Sequence, residues 1–366
     1  MFEVGRSKRA QQVFGFDDVS IVPSRRTRGD EEVSLHWRID AYTFEFPLIA
    51  APMDSVMSPA TAIQIGRLGG LGVLNLEGLW TRYEDPVPRI EQIIEVADAI
   101  EATRLMQRIY AEPIKSELIG KRIAEIREAG VPAAGSLSPQ NTQAFAQAVV
   151  DAGVDFFVIR GTTVSAEHVS SDLTPLNLKQ FIYELDVPVI VGGCATYQAG
   201  LHLMRTGAAG VLVGFGGASA TTRSVLGVAV PMASATSDVA AARRDYLDES
   251  GGRYVHVIAD GSIGRSGDIA KAIACGADAV MVGSPLAKAA EAPGAGYHWG
   301  PEAWHSVLPR GERVKLGTVG SLEHILLGPA TVPDGTMNLV GGLRKAMSTT
   351  GYTDIKEFQR VEIVVA

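Results

Sequence analysis

YVHVIADGSIGRSGDIAKAIACGADAVMVGS, running from Tyr254 to Ser284, holds the pattern that decides the fold. An apolar run from Tyr254 to Ala259 leads through a glycine-rich turn into a helical segment, Ser266 to Cys275, which Gly276 closes before a second apolar run, Asp278 to Val282. That order predicts a strand, a crossover helix ending on a glycine and a second, parallel strand. Both strands read as continuous apolar runs, as expected where helices cover both faces of a parallel sheet.

The same unit recurs outward along the chain. Further strands are predicted at Pro47 to Ala51, Leu71 to Asn75, Val131 to Gly135, Asp155 to Arg160, Pro188 to Gly192 and Gly210 to Val213. Helices are predicted between them at Pro59 to Leu68, Pro139 to Asp151, Thr174 to Leu185 and Thr196 to Thr206. Eight strands fit one closed α/β barrel, a (β/α)8 or TIM barrel over residues 1–366, with an N-terminal extension and a C-terminal tail. The charged stretch from Leu79 to Gly130 breaks the rhythm and predicts one or two solvated helices inserted after the second strand. Residues 287–366, rich in Gly and Pro until GLRKAMSTTG, predict loops over one barrel mouth and a final helix.

Composition bounds the function. Hydrophobic residues at 46% of 366 supply a large core and exclude a disordered chain. A net charge of −8 with no dense basic run argues against binding nucleic acid or anionic lipid, yet local backbone N–H groups can still hold a small phosphate. With no signal-peptide pattern and no apolar run of membrane-span length, the expectation is a soluble cytoplasmic protein. Cys194 and Cys275, the only cysteines, read as buried thiols. His298 and His305 beside Trp299 and Trp304 read as surface-loop residues, and no His or Cys spacing suggests a transition metal.

In such barrels ligands sit where strands end, so the loops after the strands carry the chemistry. Three late loops are rich in glycine: Gly214 to Arg223, Asp260 to Gly264, and Gly283-Ser284. Converging backbone N–H groups there suit the phosphate of a nucleotide. Asp260, at a strand end, needs donors for its carboxylate, and a ribose diol can supply them.

These motifs identify a resemblance to the IMP dehydrogenase and GMP reductase family over nearly the whole chain. It is carried by Phe16-Asp17-Asp18-Val19, the run Pro47 to Val56 (PLIAAPMDSV), Gly69 to Val73, Ile258-Ala259-Asp260-Gly261, Gly267 to Ala274, Gly276 to Ser284 and Glu291-Ala292-Pro293-Gly294. The chain looks like the shorter, IMP dehydrogenase-related subfamily without the paired CBS module. The resemblance implies a purine nucleoside monophosphate (IMP, GMP or XMP) as ligand, with Met53 against the base and Asp260 on the ribose. Ser219, Gly261, Ser262, Gly283 and Ser284 would surround the phosphate, beside Gly214 and Gly216. It further implies NAD as cofactor and a homotetramer, and leaves room for a monovalent cation near Gly214 and Gly216.

The chemistry of that family needs a cysteine thiolate in the loop after the sixth strand. Here that position holds Ala220 or Thr221, and Thr221 is the one candidate nucleophile left, far weaker than a thiolate. Arg160 replaces the family aspartate that contacts the dinucleotide, Cys194 an asparagine, Leu212 an arginine and Ala51 a serine. Residues 321–341 lack the Arg-Tyr pair of the mobile flap. Two readings stay open: a purine nucleotide binder whose hydride transfer is weakened or lost, and an active NAD(P)-dependent oxidoreductase using another nucleophile such as Thr221.

Overall fold

A computed structural model of the chain describes residues 2–166, 168, 175–216 and 221–365. Eight parallel strands close into a barrel: β1 (Leu48–Ala50), β2 (Leu71–Asn75), β3 (Ala134–Leu137), β4 (Phe156–Arg160), β5 (Val189–Cys194), β6 (Gly210–Val213), β7 (His256–Asp260) and β8 (Ala279–Val282). Each strand pairs with the next in sequence, and β8 closes on β1 through Val280 opposite Leu48. Every strand residue is buried except Arg160 at the end of β4, so the continuous apolar reading marks a sheet covered inside and out.

Helix boundaries follow local chemistry. α1 (Pro59–Leu68) starts where the Ser58 side chain accepts from Thr61 N and ends on Gly69 at φ 105°. α2 (Ser116–Glu128) precedes β3, and α3 (Pro139–Asp151) is capped by Ser138. α4 (Leu178–Tyr183) is shorter than predicted because the Asn177 side chain caps Gln180 N; most of the segment before it lies outside the described residues. α5 (Tyr197–Met204), α6 (Met232–Glu249) and α7 (Ser266–Ala274) complete the ring. α6 has no counterpart among the helices read from the sequence, since its Ala, Ser and Thr residues give little contrast between faces. β3 begins later than predicted, past Pro132, which has no N–H for a ladder.

The segment after β2 holds two surplus helices, Val87–Glu95 and Ala99–Ile109, before α2. They are not solvated all round. Ile90, Ile93, Met106, Ile109 and Tyr110 form a second core with Trp299 and Ala303 of the tail. The tail itself divides: residues 297–310 return over the mouth, α8 (Leu339–Thr350) packs against α7, and Ile363–Val365 pairs with Val19–Ile21. Among the described residues no helix is long and apolar enough to cross a membrane.

Candidate active site at the barrel mouth

The late-strand loops meet backbone to backbone. Gly214 holds φ 119° and Gly261 φ 137°. A Cβ on Gly214 would collide with the Asp260 carbonyl oxygen, and one on Gly261 with that of Gly216, so glycine is required at both positions. Ser262 holds φ 55°, a left-handed conformation that costs a serine energy, and its side chain is exposed. On the neighbouring strands, Gly283 faces Met53: a Cβ there would stand 3.5 Å from Met53 Sδ and 3.6 Å from Ala51 Cβ and His298 Cε1. The structure thus gathers Met53, Gly214, Gly216, Asp260, Gly261, Ser262, Gly283 and Ser284 on the ends of β1, β6, β7 and β8. Ser219 and Ala220 lie outside the described residues.

Asp260 already has a partner. Arg160 Nε donates to Asp260 Oδ2 at 2.9 Å across the mouth, and each side chain is only 7% exposed. Burial alone would lower the arginine's pKa, but Asp260 and then Glu302 outweigh it and raise it. The sequence marked Arg160 as a lost cofactor contact; the ion pair shows what a cation at that position does instead.

Arg160 also lines a cleft of about 450 Å³ on the other side of the mouth. Asn75, Ser136, Ser138 and Thr162 supply its polar wall from the ends of β2, β3 and β4; Glu302, Trp304 and Arg310 close it from the tail. Arg310 donates to Thr162 Oγ1 at 3.2 Å. None of the described residues predicted to bind the nucleotide lines this cleft.

The early half is held by side chains. Ser55 Oγ accepts from Trp299 N at 3.2 Å and lies 3.1 Å from His298 Nδ1. His298 is 1% exposed and burial pushes its pKa down to about 4, so the surface-loop expectation is corrected for it: Ser55, 243 residues away, anchors it inside. His305 is exposed, as read. Asp54 Oδ2 accepts from Tyr110 OH at 2.7 Å and from Asn75 at 3.4 Å, while Tyr110 accepts from Trp299 Nε1 at 2.9 Å and stacks on Trp304. No motif in the sequence pointed to Tyr110.

Among the described residues nothing activates Thr221, and Cys194 is no substitute for the missing thiolate. Thr221 N donates to the Arg310 carbonyl at 2.6 Å, but no base among the described residues reaches its hydroxyl. Cys194 is 1% exposed, its thiol donates to the Leu212 carbonyl at 3.4 Å, and burial pushes its pKa up to about 12.

A family model for the IMP dehydrogenase / GMP reductase domain matches residues 13–305. The chain belongs to this family. It is 55% identical to an uncharacterized oxidoreductase of Mycolicibacterium smegmatis and 53% to one of Mycobacterium tuberculosis, each match spanning 100% of both chains. An inosine-5'-monophosphate dehydrogenase of Thermoplasma acidophilum is 28% identical, over 95% of this chain and 90% of its own. The crystal structure of an IMP dehydrogenase/GMP reductase-like protein from Corynebacterium glutamicum superposes with a TM-score of 0.96 at 50% identity, covering 100% of this chain and 97% of that one.

Proposed function

We propose that this member of the family binds a purine nucleoside monophosphate on the late-strand half of the mouth, with its hydride-transfer chemistry weakened or lost. The observation that carries the binding is the backbone-to-backbone convergence of the turns holding Gly214, Gly216, Gly261 and the strained Ser262 at the strand end that carries Asp260. These loops offer backbone N–H groups to a phosphate, Asp260 accepts from the sugar, and Met53 beside Gly283 offers an apolar surface to the base. Loss of chemistry follows from the missing cysteine after β6, an unassisted Thr221 and a buried, protonated Cys194.

The family implies a nicotinamide cofactor, which would supply or accept hydride. The cleft beside Arg160 fits one in part: its hydroxyls and amides suit sugar and phosphate oxygens, and Trp304 offers a ring face. It departs from that fit where the family's carboxylate contact to the dinucleotide gives way to Arg160, committed to Asp260.

Equilibrium titration with IMP, GMP and XMP tests the reading. At least one should bind, and Asp260→Ala should weaken it about ten-fold, the worth of one or two hydrogen bonds. The same samples given NAD with IMP, or NADPH with GMP, should show little or no turnover. Absence of binding by all three nucleotides refutes the ligand class; turnover that survives Cys194→Ala and dies with Thr221→Ala refutes the loss of chemistry.

A further inference from the structure

In a site where a carboxylate alone meets a ribose, each hydroxyl makes a charge-assisted hydrogen bond, and removing one hydroxyl costs on the order of ten- to a hundred-fold in affinity. Asp260 differs in two respects. One of its oxygens, Oδ2, is taken by Arg160 Nε, and its charge is balanced by a guanidinium at hydrogen-bond distance. Among the described residues no hydrogen bond reaches Oδ1. A hydroxyl arriving at this carboxylate meets a neutralised acceptor with one open oxygen.

The pair does not give way cheaply. Each side chain is only 7% exposed, and separating them would strand two charges in the barrel mouth. Glu302, itself 6% exposed, faces Arg160 from the tail and adds to its hold. A sugar therefore adds to the ion pair instead of replacing its cation.

We propose that Arg160 sets the sugar specificity of the site: by occupying one oxygen of Asp260 it reduces the contribution of the ribose 2'-hydroxyl, so that 2'-deoxynucleoside monophosphates bind nearly as well as their ribonucleotides. This rests on the purine nucleotide reading above and narrows it. Arg160 acts here through Asp260 and is a positioning residue.

The test is calorimetric titration of IMP against 2'-deoxy-IMP, and of GMP against 2'-deoxy-GMP, on the full chain and on Arg160→Leu and Arg160→Gln. The wild-type preference for ribose should be about three-fold or less, the worth of a hydrogen bond between neutral partners. Either variant, by returning both oxygens and the full charge of Asp260 to the ligand, should raise it about ten-fold or more. A wild-type preference of ten-fold or more overturns the proposal, even if neither variant folds. So does a small preference that both folded variants leave unchanged. If no ribonucleotide binds the wild-type chain, the nucleotide reading fails first and this inference with it, a result distinct from tight binding with the wrong ratio.

Discussion

Two buried aspartates at opposite ends of the barrel, each facing an arginine, have been put to different uses. Asp278, just before β8 at the barrel's foot, is 0% exposed and saturated: Arg243 and Lys356 pair with it, Tyr254 OH donates at 2.7 Å, Val257 N at 2.8 Å and Gln359 Nε2 at 3.0 Å. Asp260, at the upper end of β7, has Arg160 as its one side-chain partner among the described residues. A carboxylate with donors on both oxygens holds elements together; one with an oxygen left over beside glycine turns suits the ligand role proposed above. At the foot those donors come from α6, the start of β7 and the short helix Ile355–Phe358, so one carboxylate ties the tail to the barrel.

The sharpest way to break this contrast is to remove the charge at the foot. Asp278→Asn should cost about 3–5 kcal/mol, because Arg243 stays buried without its counter-ion. Denaturant unfolding measures it, and Asp260→Asn, whose Arg160 keeps Glu302 and a cleft beside it, should cost less. The pH dependence has a definite sign. Burial alone would raise the pKa of Asp278, but Arg243 and Lys356 hold it well below the usual 3.8. Its stabilisation is therefore full above about pH 4 and fades as pH falls further. Equal losses from the two substitutions would end the distinction between a structural and a ligand-facing carboxylate.

Asp54 is a third case, buried at the mouth with Tyr110 and Asn75 as donors and Arg82 close enough to favour its charge. Burial dominates and pushes its pKa up to about 6. The sign is opposite to that of Asp278: the folded protein holds this proton more tightly than the unfolded chain. The contribution of Asp54 to stability is greatest below about pH 4, falls as pH rises towards 6 and is flat beyond. Raising a carboxyl from 3.8 to about 6 corresponds to about 3 kcal/mol. Asp54→Asn should erase that slope, visible as a difference between variant and wild-type unfolding energies across about pH 4–7; a slope that persists in the variant assigns it to another group.

How much of this was legible in the sequence depends on how far apart the partners are. The barrel and its late loops were, because strand runs, helix-closing glycines and clustered turn glycines are local patterns, even where, as at Gly214 and Gly261, the backbone that demands glycine belongs to another loop. The early half was not. His298 is buried by Ser55, 243 residues before it, and Tyr110 meets Trp299 across 189 residues. Arg160 was visible as a reversal of charge, but its partner lies 100 residues on and three strands around the barrel. Taken singly, each strand end suggests a role of its own, whereas a buried arginine demands a counter-ion, and the acidic strand end at Asp260 was a candidate for it.

The smallest expected effect tests redundancy at the foot. Gln359 Nε2 donates to Asp278 Oδ1 at 3.0 Å and to the Ala277 carbonyl at 2.8 Å, while Tyr254 and Lys356 reach the same carboxylate oxygen. Gln359→Ala removes one neutral donor from an acceptor that keeps several. The loss should be about 1 kcal/mol, near that of an ordinary hydrogen bond, against the several expected for Asp278→Asn. A loss as large as that of Asp278→Asn would mean that the cluster fails as a unit, its donors aligned by one another, so that the count of donors no longer explains why this carboxylate is structural. An additive double-mutant cycle between Gln359→Ala and Lys356→Ala would instead show independent donors around a fixed charge, the property that Asp260, with its one partner, does not have.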